Sequence, residues 1–196
     1  MIKLGLFGGT FDPVHYGHLK TIDSARRELD LPRVLILPNP QPPHKLAYPL
    51  TPYVHRKEML RLALQEFPAL EMADFEEQAI GPAYTTDTVR RVIASLPPEE
   101  QRELWLIVGM DSMIELPRWK DPEALFRDAN VAVLPRPGFD IGKVDPHYLA
   151  RVRVLKTPML SISATEIRER LHRGQSVAGL IADPVRNYIF AHQLYQ

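Results

Sequence analysis

Apolar positions along this chain alternate between two periods. Ile2-Lys3-Leu4-Gly5-Leu6-Phe7, Arg33-Val34-Leu35-Ile36-Leu37-Pro38, Glu103-Leu104-Trp105-Leu106-Ile107-Val108-Gly109 and Asn130-Val131-Ala132-Val133-Leu134 are short, nearly continuous runs. Such runs are expected of strands buried on both faces. Leu70 to Phe75 and Arg151 to Leu155 read as shorter strands. Between them, apolar residues recur at helical spacing: Leu19, Ile22, Ala25 and Leu29; then Met59, Leu60, Ala63, Leu64 and Phe67; then Val89, Val92, Ile93 and Leu96. Thr51-Pro52 predicts a helix start, with a hydroxyl N-cap and proline at the first helical position. Thr85 and Thr86 fall at another helix start, where capping alone would account for them. Ser163 and Glu166 have capping-box spacing, Gly174 ends the helix that follows, and Asp183-Pro184 opens one more through Val185, Tyr188 and Ile189. Strands alternating with helices predict an α/β, Rossmann-like doubly wound parallel sheet with helices on both faces. No repeat or linker divides it, so residues 1–196 are expected to form a single domain, with a C-terminal helical segment from about 160 to 196.

Composition changes this picture mainly by exclusion. Lysine plus arginine and aspartate plus glutamate both number 24, so no bulk field draws the chain to nucleic acid or a membrane. No cysteine is present, which removes disulfides and thiolate metal sites and suits a reducing, cytoplasmic setting. The first strand begins without a signal peptide, and no apolar run approaches a membrane span. The 19 prolines fall mostly between periodic segments, which predicts stiff loops.

Chemistry concentrates at the end of the first strand, in Gly8-Gly9-Thr10-Phe11-Asp12-Pro13-Val14-His15-Tyr16-Gly17-His18. A strand ends, a glycine-rich turn follows, and two histidines three residues apart open a helix. Free N–H groups and the helix dipole favour an anion there, and Gly8 and Gly9 let it approach the main chain. His15 and His18 share one face of the first turn. Neither G-x-x-x-x-G-K-[ST] nor G-x-G-x-x-G occurs, so this is a phosphate cradle of another kind.

GGTFDPVHYGH resembles the signature of nucleotidyltransferases carrying a (His/Thr)-x-Gly-His motif, here His15-Tyr16-Gly17-His18, and its wording is closest to the nicotinate-nucleotide adenylyltransferases. Five segments agree in order across nearly the whole chain. The resemblance implies transfer of the adenylyl group of ATP to nicotinate mononucleotide, giving nicotinate adenine dinucleotide and pyrophosphate. It implies that Gly8, Gly9, Thr10, Phe11, His15 and His18 bind ATP, joined by Gly109 and Asp111 of a Gly-x-Asp and by Ser163, Thr165 and Arg168. Asn39, His44 and Lys45 of the proline-rich loop after the second strand, with Thr85, Thr86 and Trp119, are implied to hold the nicotinate nucleotide. Segment 139–157 carries no such implication.

This chemistry joins two anions and needs positioning and charge neutralisation more than a base, since the attacking phosphate is already ionised. His15, His18, Lys45 and Arg168 are the expected catalytic set, with Mg²⁺ arriving on ATP. The expected partners are the small molecules ATP and nicotinate mononucleotide, with oligomeric state left open. A nearby triphosphate should raise the histidine pKa values above about 6.5, which predicts a histidine-dependent activity lost at alkaline pH. Pantetheine phosphate, a cytidylyl donor or nicotinamide mononucleotide would suit a related transferase. A non-catalytic nucleotide-binding module is the reading from another class.

Overall fold

A computed structural model describes residues 1–40, 50–75, 84–98 and 101–196. The continuous apolar runs are its parallel strands: β1 (Ile2–Gly9), β2 (Val34–Pro38), β3 (Leu70–Met72), β4 (Arg102–Gly109), β5 (Asn130–Leu134) and β6 (Val152–Val154). They form one sheet in the order β3-β2-β1-β4-β5-β6. Each neighbouring pair is parallel. The helices are α1 (Tyr16–Glu28), α2 (Tyr53–Leu64), α3 (Thr85–Ser95), α4 (Met110–Glu115), α5 (Pro122–Asp128), α6 (Pro146–Leu149), α7 (Ala164–His172) and α8 (Asp183–Ala191).

Side chains from successive strand positions go to opposite faces, and each face carries its own core. On one face Val34 and Ile36 pack with Leu19 and Ile22 of α1, Met59 and Leu60 of α2, Ile167 of α7 and Val185 and Ile189 of α8. On the other, Leu4, Leu6, Leu35 and Leu37 pack with Val89 and Val92 of α3, Met110 and Met113 of α4 and Leu125 of α5. The sheet is therefore doubly wound, as the periods require. Among the described residues, no helix is long and apolar enough to cross a membrane.

Local details depart from expectation where a polar group has a distant partner. α2 starts at Tyr53 behind Pro52 and takes no capping side chain. Thr51 instead gives its N–H to Asp12 Oδ2 at 3.3 Å. α3 likewise takes no capping side chain, its N-cap being Tyr84, and the Thr86 hydroxyl donates to the Lys120 carbonyl. Half of the capping box forms: Ser163 Oγ accepts from the Glu166 N–H at 3.1 Å, while the Glu166 carboxylate accepts from Arg170. Gly174, at φ +64°, does close α7. Its N–H and that of Gln175 bond to the carbonyls of Leu171 and Arg170, as in a Schellman motif. Segment 139–157 adds a turn at 141–143, then α6 and β6.

Candidate active site

Chain order reverses between β1 and β4, and in open parallel sheets ligands lie in the crevice beyond the carboxyl ends at such a point. β1 delivers Gly8 and Gly9 there, and β4 delivers Gly109. Among the described residues, a Cβ on Gly8 would meet nothing nearer than the Leu37 carbonyl at 3.9 Å. Packing among the described residues does not demand glycine at that position, and its bare main chain is open to close approach. Phe11 follows with φ +50° and only 2% exposure, its ring edge-on to His18 at 5.4 Å. That burial leaves only the main chain of Phe11 to face the crevice.

His15 is the N-cap of α1, with Nδ1 accepting from the His18 N–H at 3.3 Å. The bond fixes the proton of the neutral ring on Nε2, leaving that atom as the donor. At 5% exposure, burial pushes the imidazole pKa down to about 3, assisted by the positive charge of Arg136. The rings of His15 and His18 stack 3.6 Å apart at 19°, an arrangement that disfavours two imidazolium ions. In the ligand-free protein His15 is thus a neutral donor; the upward shift was expected beside a bound triphosphate. Gly17 makes the cluster possible. A Cβ there would lie 2.8 Å from His15 Nδ1 and 3.0 Å from the Ile162 carbonyl. The loop leading into α7 is therefore pressed directly onto the first turn of α1.

α7 brings Ser163, Thr165 and Arg168 to the same place. Arg168 Nη1 donates to the Asp12 carbonyl at 2.7 Å and Nη2 to Thr165 Oγ1 at 3.4 Å. Asp111, in the first turn of α4 after Gly109, is ion-paired with Arg136. Arg136, in the turn after β5, stood outside the candidate set although it influences His15. Asn39 joins through its N–H, bonded to the Gly9 carbonyl at 2.9 Å. His44 and Lys45 lie outside the described residues.

The sequence reading also missed Arg56. It is 1% exposed and donates to the carbonyls of Thr10 (2.7 Å), Asn39 (2.8 Å), Pro40 (2.8 Å) and Thr51 (2.9 Å). Its only signal in the sequence is an arginine next to the apolar stripe of α2.

A second group gathers where α3 begins. The Thr86 hydroxyl holds the Lys120 carbonyl at 2.8 Å, and Lys120 Nζ pairs with Asp87 while lying 4.9 Å above the Tyr84 ring. Trp119 is half-buried against the second core. Thr85, Thr86 and Trp119 are thus brought to one helix start, whose first turn no side chain caps.

Residues 6–170 match the model of the cytidylyltransferase-like family. A protein of Symbiobacterium thermophilum, named "probable nicotinate-nucleotide adenylyltransferase", is 36% identical over 202 residues, covering 100% of this chain and 96% of its own. One of Chromobacterium violaceum with the same name is 38% identical, with 99% of both chains covered. The chain belongs to the nicotinate-nucleotide adenylyltransferase family. Its fold agrees with that of the Plasmodium falciparum nicotinic acid mononucleotide adenylyltransferase complexed with NaAD, at TM-score 0.81 and 20% identity, covering 100% of this chain and 98% of the other. In this family member, then, the histidine pair, the α7 cap and the α3 start all lie at the carboxyl edge of one sheet.

Proposed function

We propose that the protein transfers the adenylyl group of MgATP to nicotinate mononucleotide, working in the cytoplasm as one nucleotidyltransferase domain. The observation that carries this is the stacked His15–His18 pair at the β1–α1 junction, with the Nε2–H of His15 left as a donor. A phosphate oxygen of the mononucleotide attacks the α-phosphorus of ATP. The bond to the bridging oxygen breaks, and pyrophosphate leaves with the electron pair. No proton needs to be abstracted. Charge accumulates on the leaving pyrophosphate, where His15, His18 and Arg168 supply donors, with Lys45 added from its loop. Main-chain N–H groups around Gly8, Gly9, Thr10 and Phe11 and the cap of α7 at Ser163 and Thr165 complete the phosphate cradle. Gly109 and Asp111 border the nucleoside.

Mg²⁺ enters as part of the nucleotide substrate. The Asp12 carboxylate already accepts from Tyr195 and Thr51, and that of Asp111 is held by Arg136, so neither is set out as a metal ligand. The nicotinate carboxylate is taken by the N–H groups of Thr85 and Thr86 at the positive end of α3, with the Trp119 ring beside the pyridine; Asn39 and, by resemblance alone, His44 join the mononucleotide's binding set. Pyrophosphate release from MgATP, measured with nicotinate mononucleotide, nicotinamide mononucleotide and phosphopantetheine in parallel, tests the reading. Release should be fastest with the nicotinate compound. Release with phosphopantetheine alone would remove the assignment of Thr85, Thr86 and Trp119.

A further inference from the structure

Asp12 is 4% exposed, and its carboxylate is held by donors from two distant parts of the chain. Tyr195 donates its hydroxyl to Oδ1 at 2.5 Å, and the Thr51 N–H donates to Oδ2 at 3.3 Å. The carbonyl of the same residue accepts from Arg168. Asp12 is therefore the point at which the histidine loop, the entry to α2, the α7 arginine and the segment after α8 are tied together.

That segment is built to reach it. Gln193 has φ +53°, and the N–H groups of Gln193 and Leu194 bond to the carbonyls of Phe190 and Ile189, which turns the chain back after α8. Leu194 and Tyr195 then pack against the core that contains α1 and α7. Burial and the Asp12 carboxylate push the Tyr195 phenol well above its ordinary range, so it stays a donor at any pH the protein meets. Two donors on one carboxylate also fix which way the loop between Phe11 and His15 faces.

Taking the adenylyl-transfer reading as its basis, we infer that Tyr195 is a positioning residue for the ATP phosphates: through Asp12 it sets the His15–His18 turn and the hydroxyl-and-guanidinium face of α7. It touches no reacting atom. The nicotinate group at the start of α3 shares none of these bonds.

Tyr195→Phe keeps the ring and removes the hydroxyl alone. One hydrogen bond to a carboxylate is worth enough to lower kcat about tenfold and weaken ATP several-fold. The KM for nicotinate mononucleotide should stay within about twofold, because Thr85, Thr86 and Trp119, which take its ring and carboxylate, share none of the Asp12 bonds. Tyr188→Phe is the control: it removes a hydroxyl bond made from α8 itself, 2.9 Å from His55 Nδ1 of α2, and should change stability only. A Tyr195→Phe protein with a lower melting temperature but unchanged kcat, ATP affinity and both KM values would overturn the inference. If the variant does not fold, Asp12→Asn examines the same contact from its other end, under the same criterion. ATP affinity is measured by calorimetry as well as kinetics. If the wild type releases no pyrophosphate with any acceptor, the function reading fails, and Tyr195 is then judged on ATP binding alone.

Discussion

His15 is a buried base whose charged form the fold rejects, and acid should expose this. Its folded pKa, about 3, lies below the unfolded 6.5, so between those values the unfolded chain binds a proton that the native protein does not. Stability therefore falls as pH drops from 6.5 towards 3, at about 1.4 kcal/mol per pH unit. His15→Asn keeps an acceptor at the N-cap and cannot titrate. Its urea midpoint should decline less steeply than the wild type's over that window; parallel declines would contradict a buried neutral imidazole. Any alkaline fall in turnover will likewise owe nothing to a charge on His15 in the free protein. Gly8 gives the complementary case. Alanine fits there without meeting the protein, so Gly8→Ala should fold with stability within about 0.5 kcal/mol of wild type yet bind ATP more weakly. Calorimetry and thermal melting on one preparation separate the two effects.

At the level of elements, two helices hold loops that would otherwise drift. α2 does so with Arg56, whose guanidinium spans four carbonyls from the turns after β1 and β2. Lysine has three donors on one atom and cannot cover that spread. Arg56→Lys should cost about 3 kcal/mol or more, as loss of a buried charged anchor does, read as a lowered urea midpoint. α3 does the same with Thr86. Thr86→Val removes the bond to the Lys120 carbonyl while keeping the shape, so the Trp119 segment loosens. The KM for the mononucleotide should rise about five- to tenfold with ATP affinity unchanged, on the scale of one buried hydrogen bond. Equal effects on both substrates would argue against separate binding groups. These ties are also what the sequence concealed. Leu19, Ile22 and Ala25 announce a helix face because solvation follows a 3.6-residue period. A guanidinium meeting main-chain carbonyls follows no period, and carbonyls have no identity in the sequence. Thr51 and Thr86 misled for the same reason: a local cap was the visible partner, and a distant one took the bond.

Across the whole molecule, the strand runs and helix faces were legible because a sheet covered on both sides leaves an uninterrupted apolar record. The β1–α1 junction was legible because glycine and histidine there have few structural reasons to coincide. Arg136 and Tyr195 were not, since their contacts depend on how β5 and the segment after α8 come to lie beside β1. The central place of β1 has another side. Gly5 pairs with Val34 on one edge and Trp105 on the other. On the ribosome, β2 becomes available early, but β4 trails it by roughly 70 residues, several seconds at about 5–20 residues per second. For that interval the nascent chain carries its future crevice on an open strand edge, apolar on both faces and ready to pair with any similar edge nearby. The geometry that gives the mature protein its crevice therefore leaves the half-made chain with an unpaired β1 edge until β4 arrives.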